Sequence, residues 1–570
     1  MQGCRIAMVL AAVLILGCSQ AAPGASSQPK QDVPAARTQK VLTLSIAREP
    51  TFLAALAPLP SQQASDFYVR AFNAFLDLYD GQGKPMAYMA EGLPALNTDS
   101  WQVFPDGTMQ TQYHLKPNQV WHDGTPLTAD DFVFTSEVWA PSNGFRTAVT
   151  PYSLIDKVTA PDDRTVVVHW KSLYPDAAVL LGAARFGLSP LPRHILGPVY
   201  QQGLEAFQAS SYWGVDFVGN GPYKLDHWET GSYIDSVAFD QHVGGRPKID
   251  RIRWMFIPDP NAALANLLSG STLVALDSIT FPQMQQLQQQ WADSKAGTAS
   301  FTVGSINAIY IQHRPEYANP KAILDVRVRK AMAYALDRQT LADTLWSGQL
   351  PVLETIFDTA ADWYPEVDKA VTKYPYDVRM SEQLMADAGY SKGADGFYSS
   401  PTEGKLNFVF AAPNIRPEPP ILAANLRQAG FAFDEEPLSA TQILDAQVRA
   451  TFPTFYLNAA SNAEVQQTAV YKGSEIMSAD KGWRGENVPG WSSPEFDRLV
   501  DAFYTTLDQN ERVQQRAQMA RILSDELPSI VTTGNPNMHA FMSSVKNVNP
   551  TTPPLTIGRI TWNIDQWDLS

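Results

Sequence analysis

Cysteine is almost missing from this chain. Of 570 residues only Cys4 and Cys18 are cysteines, and both fall within the first eighteen. The body therefore has no disulfide framework and no thiolate cluster for zinc, so its stability must come from an apolar core. Histidine is sparse too. The eight present never recur at i, i+3 or i, i+4 around an acid, and there is no HExxH pattern. No metal site is expected. Cationic residues are dispersed, 43 Lys and Arg against 58 Asp and Glu, for a formal net charge of −15. Nucleic-acid binding rests on clustered Lys and Arg, so no such partner is expected, and the acidic balance serves solubility. Past residue 16, no apolar run approaches the roughly twenty residues that cross a bilayer.

The signatures of catalysis are also missing. Gly187-Leu188-Ser189-Pro190-Leu191 lacks the second glycine of a nucleophile elbow. Gly219-Asn220-Gly221-Pro222 has no third glycine or lysine at phosphate-loop spacing, and Pro222 removes an amide that would face a phosphate. The acids Asp434-Glu435-Glu436 could do acid/base work only if their environments separated their pKa values. Consecutive acids in a hydrophilic stretch read instead as a solvated turn. No catalytic residue and no cofactor are expected, and the chain does not read as an enzyme.

The first residues read as a secretion address. Arg5 precedes an uncharged apolar run from Ile6 to Leu16, and the run ends in Ile15-Leu16-Gly17-Cys18. A small residue before cysteine at this point resembles the bacterial lipobox. The resemblance implies a signal peptide over 1–17, acylation of Cys18, and an extracytoplasmic protein anchored to a membrane in the periplasm or at the cell surface. Residues 19–40 are rich in Ser, Gln, Ala, Pro and Lys without apolar periodicity, so 18–40 is expected to be a lipidated cysteine and flexible tether. Ser19 is not the acid that, in this resemblance, retains proteins at the inner membrane, and the choice of membrane stays open.

The remaining body is 45% hydrophobic and 18% charged over the whole chain, ordinary globular values. Roughly 530 residues exceed one core, which predicts two or three subdomains. Val41 to Ile46 alternates like a strand, Thr165 to Trp170 and Ile252 to Phe256 are strand-like, and Asp66 onward reads as helical. Thr128 can cap a helix with Asp130 and Asp131 in its first turn. Val328, Ala331, Met332, Ala335 and Leu336 form one stripe of an amphipathic helix. Asp377 to Gly389 repeats that pattern, Pro494 opens a helix, and Asp508 with Glu511 has capping spacing for another that stops at Pro528. Strands and helices mix throughout, which predicts an α/β fold.

The stretch Tyr113-His114-Leu115-Lys116-Pro117-Asn118-Gln119-Val120-Trp121-His122-Asp123-Gly124-Thr125-Pro126-Leu127-Thr128-Ala129-Asp130-Asp131 is the most diagnostic. It resembles a signature of the family 5 extracellular solute-binding proteins of peptide/nickel/opine-type ABC importers, with Asp130 where Glu is common and Phe132 where Val is common. Four more segments resemble that family, in its order. These are Gly219-Asn220-Gly221-Pro222-Tyr223, Asp325 to Ala331 with Asp337-Arg338, Tyr376-Asp377 through Ala388-Gly389-Tyr390, and Phe496-Asp497 with Asp525-Glu526-Leu527-Pro528.

The resemblance implies a two-lobed periplasmic-binding-protein type II fold with a cleft and a hinge of two crossover strands, near Ile309 to Gln312 and Ile530 to Thr532. Lobe 1 would comprise 41–75, 186–305 and 536–570, with an extra subdomain at 76–185, and lobe 2 would comprise 306–535. The implied function is capture of a solute by a monomer that presents its closed form to an ABC permease. A surface sensor without transport is the alternative. Peptide-binding members hold the peptide ammonium with an aspartate, a position that falls here on Asn462, or on Ser461 one register away, with Glu464 nearby. An amide cannot neutralise an ammonium, so a free peptide amine is not expected to be held in the family's usual way. Oligosaccharides, opines, blocked peptides or metal chelates remain, the last disfavoured by the scattered histidines. The expected ligand contacts are Pro60, Ser61, Gln62, Gln312, Tyr456, Asn458, Ala460, Ser461 and Asn462.

Overall fold

The computed structural model describes residues 39–58, 66–140, 143, 152–180, 188–414, 416–460, 468–550 and 559–570. The expected signal peptide, Cys18 and its tether lie outside the described residues, as do Pro60, Ser61, Gln62, Ser461, Asn462 and Glu464.

A ten-stranded mixed sheet organises the body. Across it lie, in order, Ala432–Leu438, Asn407–Pro413, Phe455–Ala460, Gly297–Ile311, Ser529–Met542, Val274–Ala275, Val41–Ile46, Arg251–Phe256, Tyr233–Ala238 and Tyr223–Glu229. Val41–Ile46 is central to one half and runs parallel to both neighbours. Leu42, Leu44 and Ile46 are fully buried, and so is Ser45 on the opposite face, as a strand covered on both sides requires.

The two long strands Gly297–Ile311 and Ser529–Met542 pair antiparallel and carry the sheet from one half to the other. In the second half, period-two alternation distributes the apolar residues between two cores. Ile309, Ile311, Phe455, Leu457, Phe408, Phe410 and Ile530 enter one. Ile306, Ala308, Tyr310, Tyr456, Ala411 and Val531 enter the other. The first half has its own large core, running from Leu42 to Trp567, and a small one sits under the helix Phe281–Ser294. A four-stranded antiparallel sheet, Trp101–Val103, Met109–His114, Thr165–Trp170 and Ile155–Asp162, shares the large core. The predicted α/β, two-lobed fold is what these elements build.

The diagnostic sequence segments turn out to be joints. The helix Ala129–Val138 starts at Thr128, whose N–H donates to Asp131 Oδ2 at 3.0 Å. The same buried carboxylate accepts from Trp121 Nε1 (3.1 Å) and the Arg193 N–H (3.0 Å), so one side chain ties three segments. Burial raises the Asp131 pKa, and those hydrogen bonds oppose the rise. His122 reaches the second segment. Its Nδ1 accepts the Gly219 N–H at 3.2 Å and its Nε2 faces the Gly221 carbonyl at 3.0 Å. Gly219 and Gly221 press against the backbone at the end of the helix Asp66–Phe72, where a Cβ on either would overlap Phe72. Close approach is the reason for glycine there.

The helices follow their caps. Val326–Ala335 buries Val328, Ala331, Met332 and Ala335, and Asp325 accepts the Arg327 N–H at its start. Asp377 caps Val378–Asp387, Ser493 caps Pro494–Phe503, and Asp508 accepts the Glu511 N–H to open Gln509–Glu526. The acids Asp434, Glu435 and Glu436 lie exposed on the sheet's edge strand rather than in a turn, where charge discourages further strand pairing.

Candidate functional site

The level at which the long strands pass between the halves is irregular by design of its sequence. Their pairing shifts register between Val303 and Ser305 and again between Ile306 and Ala308. Such bulges bend a strand and re-aim side chains. Small and polar residues occupy this stretch: Gly304, Ser305, Asn307, Gly534, Asn535 and Asn537. Asn535 Nδ2 donates to Ser305 Oγ at 3.2 Å. Asn537 closes on Gly304, which has no room for a Cβ, and its buried Nδ2 has no partner among the described residues.

Charged groups flank this level from both halves. On the second-half side, Arg416 grips Glu418 through Nε (3.0 Å) and Nη2 (2.6 Å), and Nη2 also donates to Asn307 Oδ1 (2.7 Å). Asn307 Nδ2 returns a bond to Glu418 Oε1 at 3.2 Å, and Glu418 is 1% exposed. On the first-half side, Asp277 follows Val274–Ala275 and accepts the Ala47 N–H at 2.8 Å. Burial raises its pKa, against the pull of that bond and of Arg48 and Arg559. Arg559 in turn approaches Gly304 and stacks over Phe67. Glu418 is thus paired with a guanidinium, whereas at Asp277 burial outweighs the pull of Arg48 and Arg559.

The expected ligand contacts divide. Asn458 lies in the strand Phe455–Ala460 beside Ala308, half-buried, and its side chain bonds the buried Tyr310 hydroxyl. Ala460 ends that strand opposite Ile306. Tyr456 is a correction: at 2% exposure it belongs to a core and packs on Phe452. Gln312 is another. It is fully buried, its Nε2 donates to the Ala450 (3.0 Å) and Phe452 (2.7 Å) carbonyls, and its Oε1 accepts from Arg314. The hydrogen-bonding groups of Gln312 are thereby used within the protein. Sequence reasoning missed Asn307, Arg416, Asp277, Asn537 and Arg559. The nearest signal was Arg416 two residues before Glu418; the others meet only through folding.

The described residues assemble no nucleophile, base and acid set here. Ser300 Oγ does lie 2.8 Å from His539 Nε2, but as a cross-strand pair in the ladder. The imidazole is 1% exposed, meets the Pro550 and Asn537 backbone, and is pushed down to about 4 by burial. No carboxylate among the described residues orients it. What the level offers is neutral hydrogen-bonding groups, the Arg416–Glu418 pair and the buried Asp277 carboxylate.

Known proteins agree with this architecture. The oligopeptide-binding protein AppA of Bacillus subtilis is 27% identical over 385 residues, 68% of this chain and 65% of that protein. The dipeptide-binding protein of Escherichia coli is 23% identical over 473 residues, 77% and 80% of the two chains. Several putative peptide-binding proteins of Brucella are 26% identical but matched over only 51% of their length, so the chain spans between half and two thirds of many curated relatives. Among solved structures, NikA from Brucella suis in complex with Fe(III)-EDTA superposes with a TM-score of 0.75 at 16% identity, covering 93% of this chain and all of that one (100%). AppA from Bacillus subtilis with a nonapeptide gives 0.70 at 20% identity, covering 93% and 99%. Residues 93–472 match the model described as bacterial extracellular solute-binding proteins, family 5 middle. The chain belongs to the bacterial extracellular solute-binding proteins, family 5.

Proposed function

We propose that this chain is the capturing component of an ABC import system, closing two lobes around a solute outside the cytoplasm and offering the closed form to a membrane permease. The observation that carries this reading is that, among the described residues, two long strands cross between halves that have their own cores, with polar groups gathered where they cross. A solute touching both halves favours the closed form by its differential affinity for the two states. No chemistry on the solute is required. The names of relatives, which include oligopeptide-, dipeptide- and heme-binding proteins, support a capture role.

The lobes are assigned to 41–75, 186–305 and 536–570, with 76–185 as the extra subdomain, and to 306–535. Membership of the apolar cores supports the division between the two lobes. The solute contacts are assigned to Pro60, Ser61, Gln62, Asn458, Ala460, Ser461 and Asn462, joined by Asn307, Arg416, Asn535 and Asn537. With Asn462 at the ammonium position, and with Glu418 already paired with Arg416, the site suits a solute without a free amine. Acylation of Cys18 and the tether to residue 40 would hold a monomer at the membrane.

Native mass spectrometry of the chain truncated before Val41 and made in its host's periplasm tests this. A co-purified single mass, or a ladder spaced by hexose units, is the expected result. Masses spaced by amino-acid residues would overturn the reading of Asn462. A spectrum without any bound solute, in complex medium, would count against capture itself.

A further inference from the structure

Far from the crossing strands, the two halves meet again. Arg512 Nη1 donates to Asp176 Oδ1 at 2.9 Å and Nη2 to Oδ2 at 3.2 Å, a bidentate fork between residues 336 apart in sequence. Arg512 is 1% exposed and the Asp176 side chain 25%.

Each partner is held by its own half. Asp176 sits in a turn that the Tyr113 hydroxyl pins by donating to the Ala177 carbonyl at 2.6 Å, and Tyr113, Tyr174 and Ala177 belong to the large first core. Arg512 stacks on Phe503 at 4.3 Å, a residue of a second-half core. The neighbouring Leu507 leaves that core and packs on the first. A fork whose two ends are already fixed loses little freedom when it closes.

Its place gives it leverage. Arg512 lies in the first turn of Gln509–Glu526, the helix that leads directly into the crossing strand Ser529–Met542. The pair is thus about 21 Å along a rigid helix from the strand where the halves join. A second inter-half contact, Phe281 edge-on to Trp346 at 5.3 Å, lies beside that strand, where Trp346 Nε1 reaches Thr533. Rotation about the crossing strands leaves the near contact almost in place and breaks the far one.

We propose that Asp176 and Arg512 form an ionic latch that biases the two lobes toward the closed arrangement before a solute binds. The latch sets the fraction of closed protein before binding, and the apparent affinity for any solute that needs the closed form scales with that fraction. It rests on the two-lobed fold and not on the identity of the solute, so it is tested on unliganded protein. Failure of the import reading would leave the result untouched.

The test is small-angle scattering of the unliganded chain carrying Cys18→Ser, with Asp176→Asn, Arg512→Met and the pair together. Asp176→Asn is nearly isosteric at a partly exposed site, and circular dichroism checks the fold of each variant. A closed body of this size has a radius of gyration of about 24 Å, and each variant is expected to exceed the parent by about 1 Å, the double variant no more than either single one. Unchanged dimensions in Asp176→Asn overturn the latch. So does a change confined to Arg512→Met, which would report lost stacking on Phe503.

Discussion

Asn307 and Glu418, 111 residues apart in sequence, meet at 3.2 Å where the first crossing strand passes the start of the helix Glu418–Ala429, and Arg416 closes over both. The strand that couples the halves is therefore fastened to a buried ion pair in the second one. A buried carboxylate of this kind is tolerated because the fork and the amide replace the water it has lost.

Glu418→Gln should be costly for that reason. It leaves the Arg416 guanidinium without a counter-charge in a mostly buried place, and removing one partner of such a pair costs about 3–5 kcal/mol. Urea denaturation should move to lower midpoint with unchanged slope. A loss below about 1 kcal/mol would mean that Arg416 reaches water instead.

Gly221→Ala should destabilise the first half without touching the second. Its Cβ would overlap the Phe72 backbone, which cannot move without displacing the helix Asp66–Phe72. Overpacking against backbone predicts a loss of about 1–3 kcal/mol or more. Hydrogen exchange should speed up in 66–75 and leave 407–438 as in the parent.

Stability should fall as pH drops from about 6.5 toward 5. Burial pushes His122 and His539 down to about 4 and His313 to about 3. In this window the unfolded chain takes up protons that the folded one refuses, so the stabilising effect is whole above the unfolded pKa and declines with pH by up to about 1.4 kcal/mol per unit for each histidine. The geometry at His122 explains the refusal, because Nδ1 already faces the Gly219 N–H. The raised pKa values of Asp131 and Asp277 act with the opposite sign, helping the folded state at lower pH. Denaturation midpoints at pH 7, 6 and 5 decide it, and His122→Gln should flatten the slope. Equal midpoints at the three values would refute it.

Asn462→Asp should create affinity for a free amine. A carboxylate at the proposed ammonium position supplies the charge-assisted contact that an amide lacks. Titration calorimetry with tri-alanine is expected to show binding at least about tenfold tighter than the parent's, a gain of about 1.4 kcal/mol. No gain would place the solute's end elsewhere in the cleft.

Much of the fold was legible in the chain because its cues are local. Asp325, Asp377 and Asp508 stand where a carboxylate can take the N–H groups opening a helix, and each does so. The stripe from Val328 to Ala335 needs only a period of 3.6 to be read. The site was far less legible. Gln312 and Tyr456 read as polar groups near a cleft, yet alternation along the strands and the Arg314 loop take them inside.

The sequence by itself determined which segments are helix and strand, that no disulfide or clustered histidines brace them, and which family pattern they follow, since caps, periodicity and residue order all lie within a few neighbours. Only the tertiary structure decided that Arg416 and Glu418 serve Asn307, that Asp277 accepts the Ala47 N–H, and that Asp176 reaches Arg512. Those partners are 109 to 336 residues apart. Burial and charge compensation act through space, and no local pattern encodes which distant group will arrive.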